Sequence, residues 1–439
     1  MQAVQLDYHS QYLCLNTMRW SAFIVSVILI ASLLLLESQI VTSVTVKYVT
    51  PTDGCLGDKA LDPCHTLEHY ANQQDIYFTN NSSFYFFPGL HRLEEGVRIV
   101  GVHNLSFQGE LGNGMVKIAF NSAASIQWEN CSDIEITSLV ITLLGNNFTY
   151  SIVFECTLSV QIFNVTIFGN DNYRCSSILS KRSVLNITNS QFIGIHGCLG
   201  AALKVISSSE ITFVGSNILK NNIAIHGGAI YLSNSALIVY ASGDNFFMNN
   251  SASENLLGGN MTLCNSVGEA IPYGGAIFGN NSSLTIEGKS NVIFAESNAD
   301  GSGGAIAMIN GNFTIKVCSL FCNNTANFQG GAILLEDVNS NFLGSITLNE
   351  NTAGLGGAMH IANANISFNM DETPLNSVVV MFQNNAADVG GAIESHGSSL
   401  TFAGEVVFKA NSAQVLGGAM SLLETSKLIL VPTLIYLFY

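Results

Sequence analysis

The chain has 439 residues, a formal net charge of −16 and 10% charged residues, against about 25% in ordinary globular proteins. Only 15 Lys and Arg are spread over that length, which argues against nucleic acid or anionic lipid as a partner. The polar surface must come instead from Asn, Ser, Thr and Gly, a composition that suits an extracellular chain.

Residues 1–43 read as an export signal. Ser21 to Leu36 is an apolar run preceded by Arg19, and Glu37 to Ser43 is a more polar region suited to cleavage. The run is short for a spanning helix, so a cleaved signal is expected and an uncleaved signal anchor is the alternative. A start at Met18 would give a tidier leading segment. Residues 44–79 read as an N-terminal cap, with a strand-like opening, a Pro and Gly turn region and a short helical stretch from His65 to Gln73. A solenoid needs such a cap because its first coil otherwise exposes a row of unpaired backbone groups. Cys55 and Cys64 are close enough to staple it. His65 and His69 lie one helical turn apart, but they are too few for a metal site, and neither a metal nor a cofactor is expected.

Residues 80–200 continue as short strands without a sharp motif: Phe107, Ile118, Ile126, Ile134–Ile136, Val153, Ile162–Val165, Leu185–Ile187 and Leu203–Ile206 mark them. Cys131 and Cys156 are 25 residues apart, and Cys175 and Cys198 are 23 apart. A spacing near the repeat length stacks residues on neighbouring coils roughly 4.8 Å apart, inside the disulfide range. At least one of these pairs is expected to be bonded, with free thiols filling the core as the alternative. Removal of Cys14 with the signal would leave an odd thiol.

Residues 201–425 carry the organising repeat, seen most clearly in Phe382 to Ile393, FQNNAADVGGAI. A Gly pair recurs at Gly227, Gly274, Gly303, Gly330, Gly356, Gly390 and Gly417, in steps of 47, 29, 27, 26, 34 and 27 residues. So short a unit cannot bury a core alone, whereas stacked copies share one, so the fold class is an all-β, single-stranded, right-handed parallel β-helix of about a dozen coils. The third residue after the first Gly (Ile230, Ile277, Ile306, Ile333, Met359, Ile393, Met420) and the fifth (Leu232, Met308, Leu335, Ile361, Leu422) should point inward. Phe247, Phe294, Phe321, Phe382 and Phe408 should fill a second wall. Asn222, Asn250, Asn324, Asn351, Asn385 and Asn411 form an expected ladder of stacked amides, because a buried Asn has to be hydrogen-bonded. An Ala column follows where a corner leaves little room, and the Gly pair should supply the positive φ of the turn.

The F-x-x-N-x-A…G-G-A-I pattern of Phe382–Ile393 and Phe408–Met420 resembles the repeat of chlamydial polymorphic outer membrane proteins, found also in right-handed parallel β-helix proteins of some invertebrates and protists. The likeness runs from Leu219 to Met420, with Ser297 in place of one Asn. It implies an extracellular passenger associated with adhesion. The bacterial members end in a membrane β-barrel, which this sequence does not contain, so an autotransporter is not expected.

Fourteen N-x-S/T sequons support a secreted glycoprotein: Asn80, Asn81, Asn104, Asn130, Asn147, Asn164, Asn186, Asn249, Asn260, Asn280, Asn281, Asn312, Asn323 and Asn365. None of the ladder Asn residues is among them. The insertion between Ala252 and Gly274 and a smaller one between Asn363 and Ser377 are loops on a rigid stack, the usual place for recognition. After Met420 the apolar tail, residues 426–439, is too short to span a membrane, and a truncated chain with an open, self-associating last coil is the expectation.

Catalysis on such a scaffold needs carboxylates or bases grouped on neighbouring coils. Asp300 and Asp388 share a column but are three coils apart, too far for a glycosidase pair. The one grouping left is His360, Glu394 and His396, expected as a solvated ion pair and otherwise as an acid/base or weak metal site. The reading is therefore a secreted or surface scaffold that recognises an extracellular protein or glycan. A polysaccharide-active enzyme and a structural matrix protein are the alternatives.

Overall fold

The computed structural model describes residues 44–51, 65–110, 115–121, 123–144, 150–170, 176–254, 271–368 and 379–438. The export-signal residues 1–43, with Cys55, Cys64, Cys175, Asn147 and Asn260, lie outside them. The coils lie within Val46–Tyr439.

Each coil passes three walls in sequence, and some strands, such as Ile277–Gly288, run through two of them; strands pair in parallel with their counterparts in neighbouring coils, giving a parallel β-solenoid of about 12 turns. The first wall stacks Ile230–Ser233 on Ile277–Gly288, Ile306–Ile315 and Ile333–Phe342, continuing to Met420–Leu423. The second wall begins at Ser82–Phe86 and the third at Gly89–Leu93. A smaller sheet of two-residue strands, such as Ile223–Ala224 and Thr325–Ala326, follows the third wall. Alternation along each strand sends one set of side chains inward. Ile230, Ile277, Ile306, Ile333, Met359 and Ile393 are all fully buried, in one continuous core.

Aromatic columns thicken two of the walls. Phe247, Phe294 and Phe321 stack with centroids 4.6 and 4.8 Å apart, and Phe382 stacks on Phe408 at 4.9 Å. A second column in the other wall, Phe342, Phe368 and Phe402, stacks at 4.7 and 4.6 Å. Because coil spacing matches the distance at which rings pack well, one Phe per coil at a fixed register both fills volume and sets alignment.

At the corner after the third wall the buried Asn residues join coil to coil. The Asn351 side-chain amide donates to the Phe321 carbonyl and to Asn385 Oδ1, each at 3.0 Å, while its Oδ1 accepts the backbone and side-chain N–H groups of Asn324. The same pattern links Asn222 to Asn250 and Asn385 to Asn411. The run breaks at Ser297, whose backbone N–H still donates to Asn324 Oδ1 but whose hydroxyl reaches only the Ala295 carbonyl at 3.4 Å. Asn351→Ala would strand two buried donors on Asn324, and each unsatisfied buried group costs about 1–3 kcal/mol. The expected loss after relaxation is about 2 kcal/mol in urea unfolding.

Hydroxyls play the same part at the corner between the first and second walls, where the sequence shows no obvious pattern. The backbone N–H groups of Thr157, Ser183, Ser209 and Ser235 donate in turn to the hydroxyls of Ser183, Ser209, Ser235 and Ser282 at 2.9–3.3 Å.

Of the two candidate cysteine pairs, Cys131 and Cys156 are not bonded to each other, and both are free. Leu158 pairs with Ser132, so Thr157 and not Cys156 sits over Cys131. Cys131 is buried, and Cys156 occupies a corner with φ 52°. A one-residue offset in a structure of period two sends the thiols to opposite sides. The same offset stacks Glu135 on Gln161. Cys198 is disulfide-bonded.

Ahead of the first wall, α1 (Leu67–Asn72) is capped by Thr66, whose hydroxyl accepts the His69 N–H at 3.2 Å, and α2 (Gln74–Tyr77) follows. Leu67, Tyr70 and Phe78 are buried, with Tyr70 and Phe78 against Phe84. At the other end, Phe408, Met420, Leu428, Ile435 and Leu437 surround an open depression of about 440 Å³.

Candidate recognition groove

Between the small Ala residue and the Gly pair, the coils that carry the repeat cross the outside of the first wall on a bridge of two or three residues, except for the long insertion between Ala252 and Gly274. The bridges are hydrogen-bonded to one another: Phe328 N–H donates to Gly301 O at 2.9 Å, Leu355 N–H to Phe328 O at 2.8 Å and Asp388 N–H to Gly354 O at 2.9 Å. The Gly pair makes this crossing possible, and its two members do different work. Gly330 has φ +62°, whereas Gly331 shows no positive φ but lies so close to the next coil that a Cβ there would stand 2.1 Å from Gly357 O. The expectation that both glycines serve the turn angle is thus corrected: the second permits contact between coils.

The bridges cover an outward column that would otherwise face solvent. Phe278, Ala307 and Leu334 form a second buried cluster, with Tyr231, Tyr273 and Ile309 packed against it. His226, on the first of these bridges, stacks on Tyr273 at 5.8 Å, and its Nδ1 accepts the Tyr273 N–H at 3.3 Å. Burial pulls its pKa down to about 4. An imidazole depressed below its unfolded value binds fewer protons folded than unfolded. The stability it contributes is therefore complete above about pH 6.5 and is lost as pH falls toward 4. Between pH 7 and pH 5 the expected loss is about 2 kcal/mol, to be read from urea midpoints across that range. A His226→Phe variant should flatten that dependence.

The bridges vary in length. Asn327, Phe328 and Gln329 precede Gly330, but only Gly354 and Leu355 precede Gly356. The shorter bridge beside the longer one leaves a groove of about 480 Å³. Ile271, Tyr273, Phe328 and Leu355 supply apolar lining, and Asn327, Gln329 and Asp388 supply polar groups. Phe328 is 55% exposed. The side chains of Asn327, Gln329 and Asp388 have no hydrogen-bond partner among the described residues. Apart from Asp388, weighed with Asp300 as a carboxylate pair, no sequence signal singled these residues out. The detectable cue was the change from three to two residues between the Ala and Gly columns, with an aromatic on the longer side.

The candidate acid/base cluster separates. His360 and Glu394 do stack, with His360 Nδ1 2.6 Å from Glu394 Oε2, but their side chains are 7% and 2% exposed. They continue the column of Leu334 beneath the bridges, so the expected solvated pair is a buried one. His396 lies apart from them and pairs with Glu424 at 2.9 Å on the surface. Asp300 accepts a hydrogen bond from Ser253, and Asp388 lines the groove. Among the described residues no group of three or more His, Cys, Asp or Glu is placed to hold a metal ion.

Of the fourteen sequon residues, twelve are described, and none of these is buried. Seven of them, Asn81, Asn104, Asn130, Asn164, Asn249, Asn281 and Asn323, occupy left-handed corners with φ 49–58°. Asn tolerates that conformation better than most residues, so the corners alone account for many of these positions.

The molecule is thus a repeat protein of the parallel β-helix class. Residues 319–336, from the third wall of one coil to the first wall of the next, match the Chlamydia polymorphic membrane protein repeat. No curated protein and no solved structure matches the chain.

Proposed function

We propose that this chain is a secreted or cell-surface β-helix scaffold for adhesion or extracellular recognition, and that it performs no catalysis. The groove around Phe328 carries the reading: a rigid stack of bridges presents an exposed ring and three unpartnered polar side chains in one concavity. A surface role is supported by the match to a repeat named for membrane proteins. Exposed sequons and the bonded Cys198 suit an oxidising secretory route, with glycans on the outside and the Asn ladder left unmodified. A polysaccharide-cleaving activity is disfavoured because His360 and Glu394 are buried under the bridges and His396 points to a different partner.

Incubating the purified full chain with cells and with soluble polysaccharides tests the proposal. Saturable cell binding without release of reducing ends or unsaturated products is expected. Turnover of a polymer would replace it with the enzyme reading, and incorporation into an insoluble matrix without saturable binding would favour a structural protein.

A further inference from the structure

Resting on that recognition reading, the geometry points to a neutral saccharide as the occupant of the Phe328 groove. A pyranose ring has one face of C–H groups and a rim of hydroxyls, each both donor and acceptor. It is therefore held by a flat apolar platform flanked by planar amides or carboxylates. The groove has both parts. Phe328 presents more than half of its surface, with Tyr273 and Leu355 continuing the apolar floor. Around it, Asn327 and Gln329 each offer two N–H donors and a carbonyl acceptor, and Asp388 offers two acceptor oxygens. Among the described residues none of these groups has a hydrogen-bond partner. They are fixed by bridges whose backbones are bonded coil to coil, so little ordering is needed on binding.

Charge narrows the class. No Lys, Arg or His lines the groove, Asp388 does, and the chain carries −16 overall. Uronates, sialylated and sulfated sugars would bring like charge against an unneutralised carboxylate, so they are rejected. A volume of about 480 Å³ lies within the range of small-ligand sites and holds one or two sugar rings, so an end or a short stretch of a glycan is bound and not a long polymer.

The test is binding of the full chain to an immobilised panel of neutral hexosides, N-acetylhexosaminides, uronates and sialosides, with cell binding measured in parallel. Binding to one or more neutral sugars and none to the acidic ones is expected. Phe328→Ala should weaken it at least tenfold, Phe328→Tyr should retain it, and Asp388→Asn should weaken it severalfold while admitting acidic sugars. Phe328 is exposed, so Phe328→Ala should leave the unfolding midpoint unchanged. Repeating the panel after N-glycosidase treatment separates an external sugar from the chain's own glycans, since competition by the latter would vanish on treatment. Equal binding by Phe328→Ala, or uronates bound as tightly as neutral sugars, overturns the assignment. Cell binding with no response to any sugar also overturns it while leaving the recognition scaffold standing. Loss of both would remove the scaffold reading itself.

Discussion

His360→Leu should destabilise the protein by about 3 kcal/mol, because it leaves the Glu394 carboxylate buried without its partner. The opposite change, Glu394→Leu, should cost only about 1 kcal/mol, since a lone imidazole is less costly to bury than a lone carboxylate. The double variant restores the apolar column that Leu334 begins in the coil before. It is expected within about 1 kcal/mol of the unaltered chain, or above it, because buried ion pairs are often replaceable by packed hydrophobic groups. Denaturant unfolding of the four proteins measures the cycle. Equal losses for the two single variants, or a double variant as unstable as His360→Leu, would show that the pair does not behave as a buried partnership. Hydrogen exchange should place the weakened region in the coils from Ile333 to Leu423, since a solenoid's stability is a sum of neighbour terms.

If the double variant is as stable as the natural chain, the pair is not retained for stability. Its position suggests another reason. The step from Gly356 to Gly390 is 34 residues, longer than its neighbours at 26 and 27, so sequence spacing specifies this coil's register less well than theirs. A His that must meet a Glu in the adjacent coil penalises slippage, which an all-apolar column would tolerate.

The contrast between what the sequence disclosed and what it hid follows from periodicity. Each column with one residue type per coil could be read directly. The inward Ile positions, the Phe stack and the Asn ladder repeat because the coil spacing makes like residues pack on like. The bridges do not repeat in this way. Their backbones bond to each other whatever the side chains are, so Ser302, Phe328, Leu355 and Asp388 differ freely, and a groove made where the bridge length changes leaves no periodic trace. The separation of Cys131 from Cys156 has the same root. A spacing of 25 residues was close to the coil length, but strand register is decided to one residue, and here that residue is Thr157. His360 and Glu394 were correctly placed on adjacent coils and on the outward side of their strands. What could not be seen from spacing was that outward is not exposed here, because the bridges roof that column.

Gly331→Ala tests that roof directly and should cost at least about 3 kcal/mol. A Cβ at this position would lie 2.1 Å from Gly357 O and 2.6 Å from Thr352 N, both backbone atoms of the next coil, so no side-chain rotation can relieve the overlap. The coils must separate locally, which breaks the Gly331 N–H bond to Gly356 O and lifts the Phe328 bridge from its neighbour. Gly194→Ala is the matched control. Gly194 has the positive φ, 64°, that Gly331 lacks, but nothing lies within 4 Å of its missing Cβ, so only the backbone cost of about 1 kcal/mol applies. The comparison separates two reasons for a glycine that look identical in sequence. Should the two variants lose equal stability, close coil contact would not be what requires the second Gly of the pair, and the argument that the bridges form a rigid platform beneath Phe328 would lose its support. A larger loss for Gly331→Ala, accompanied by weaker ligand binding at a denaturant concentration where the chain is still folded, would tie the stacking of the bridges to the shape of the groove.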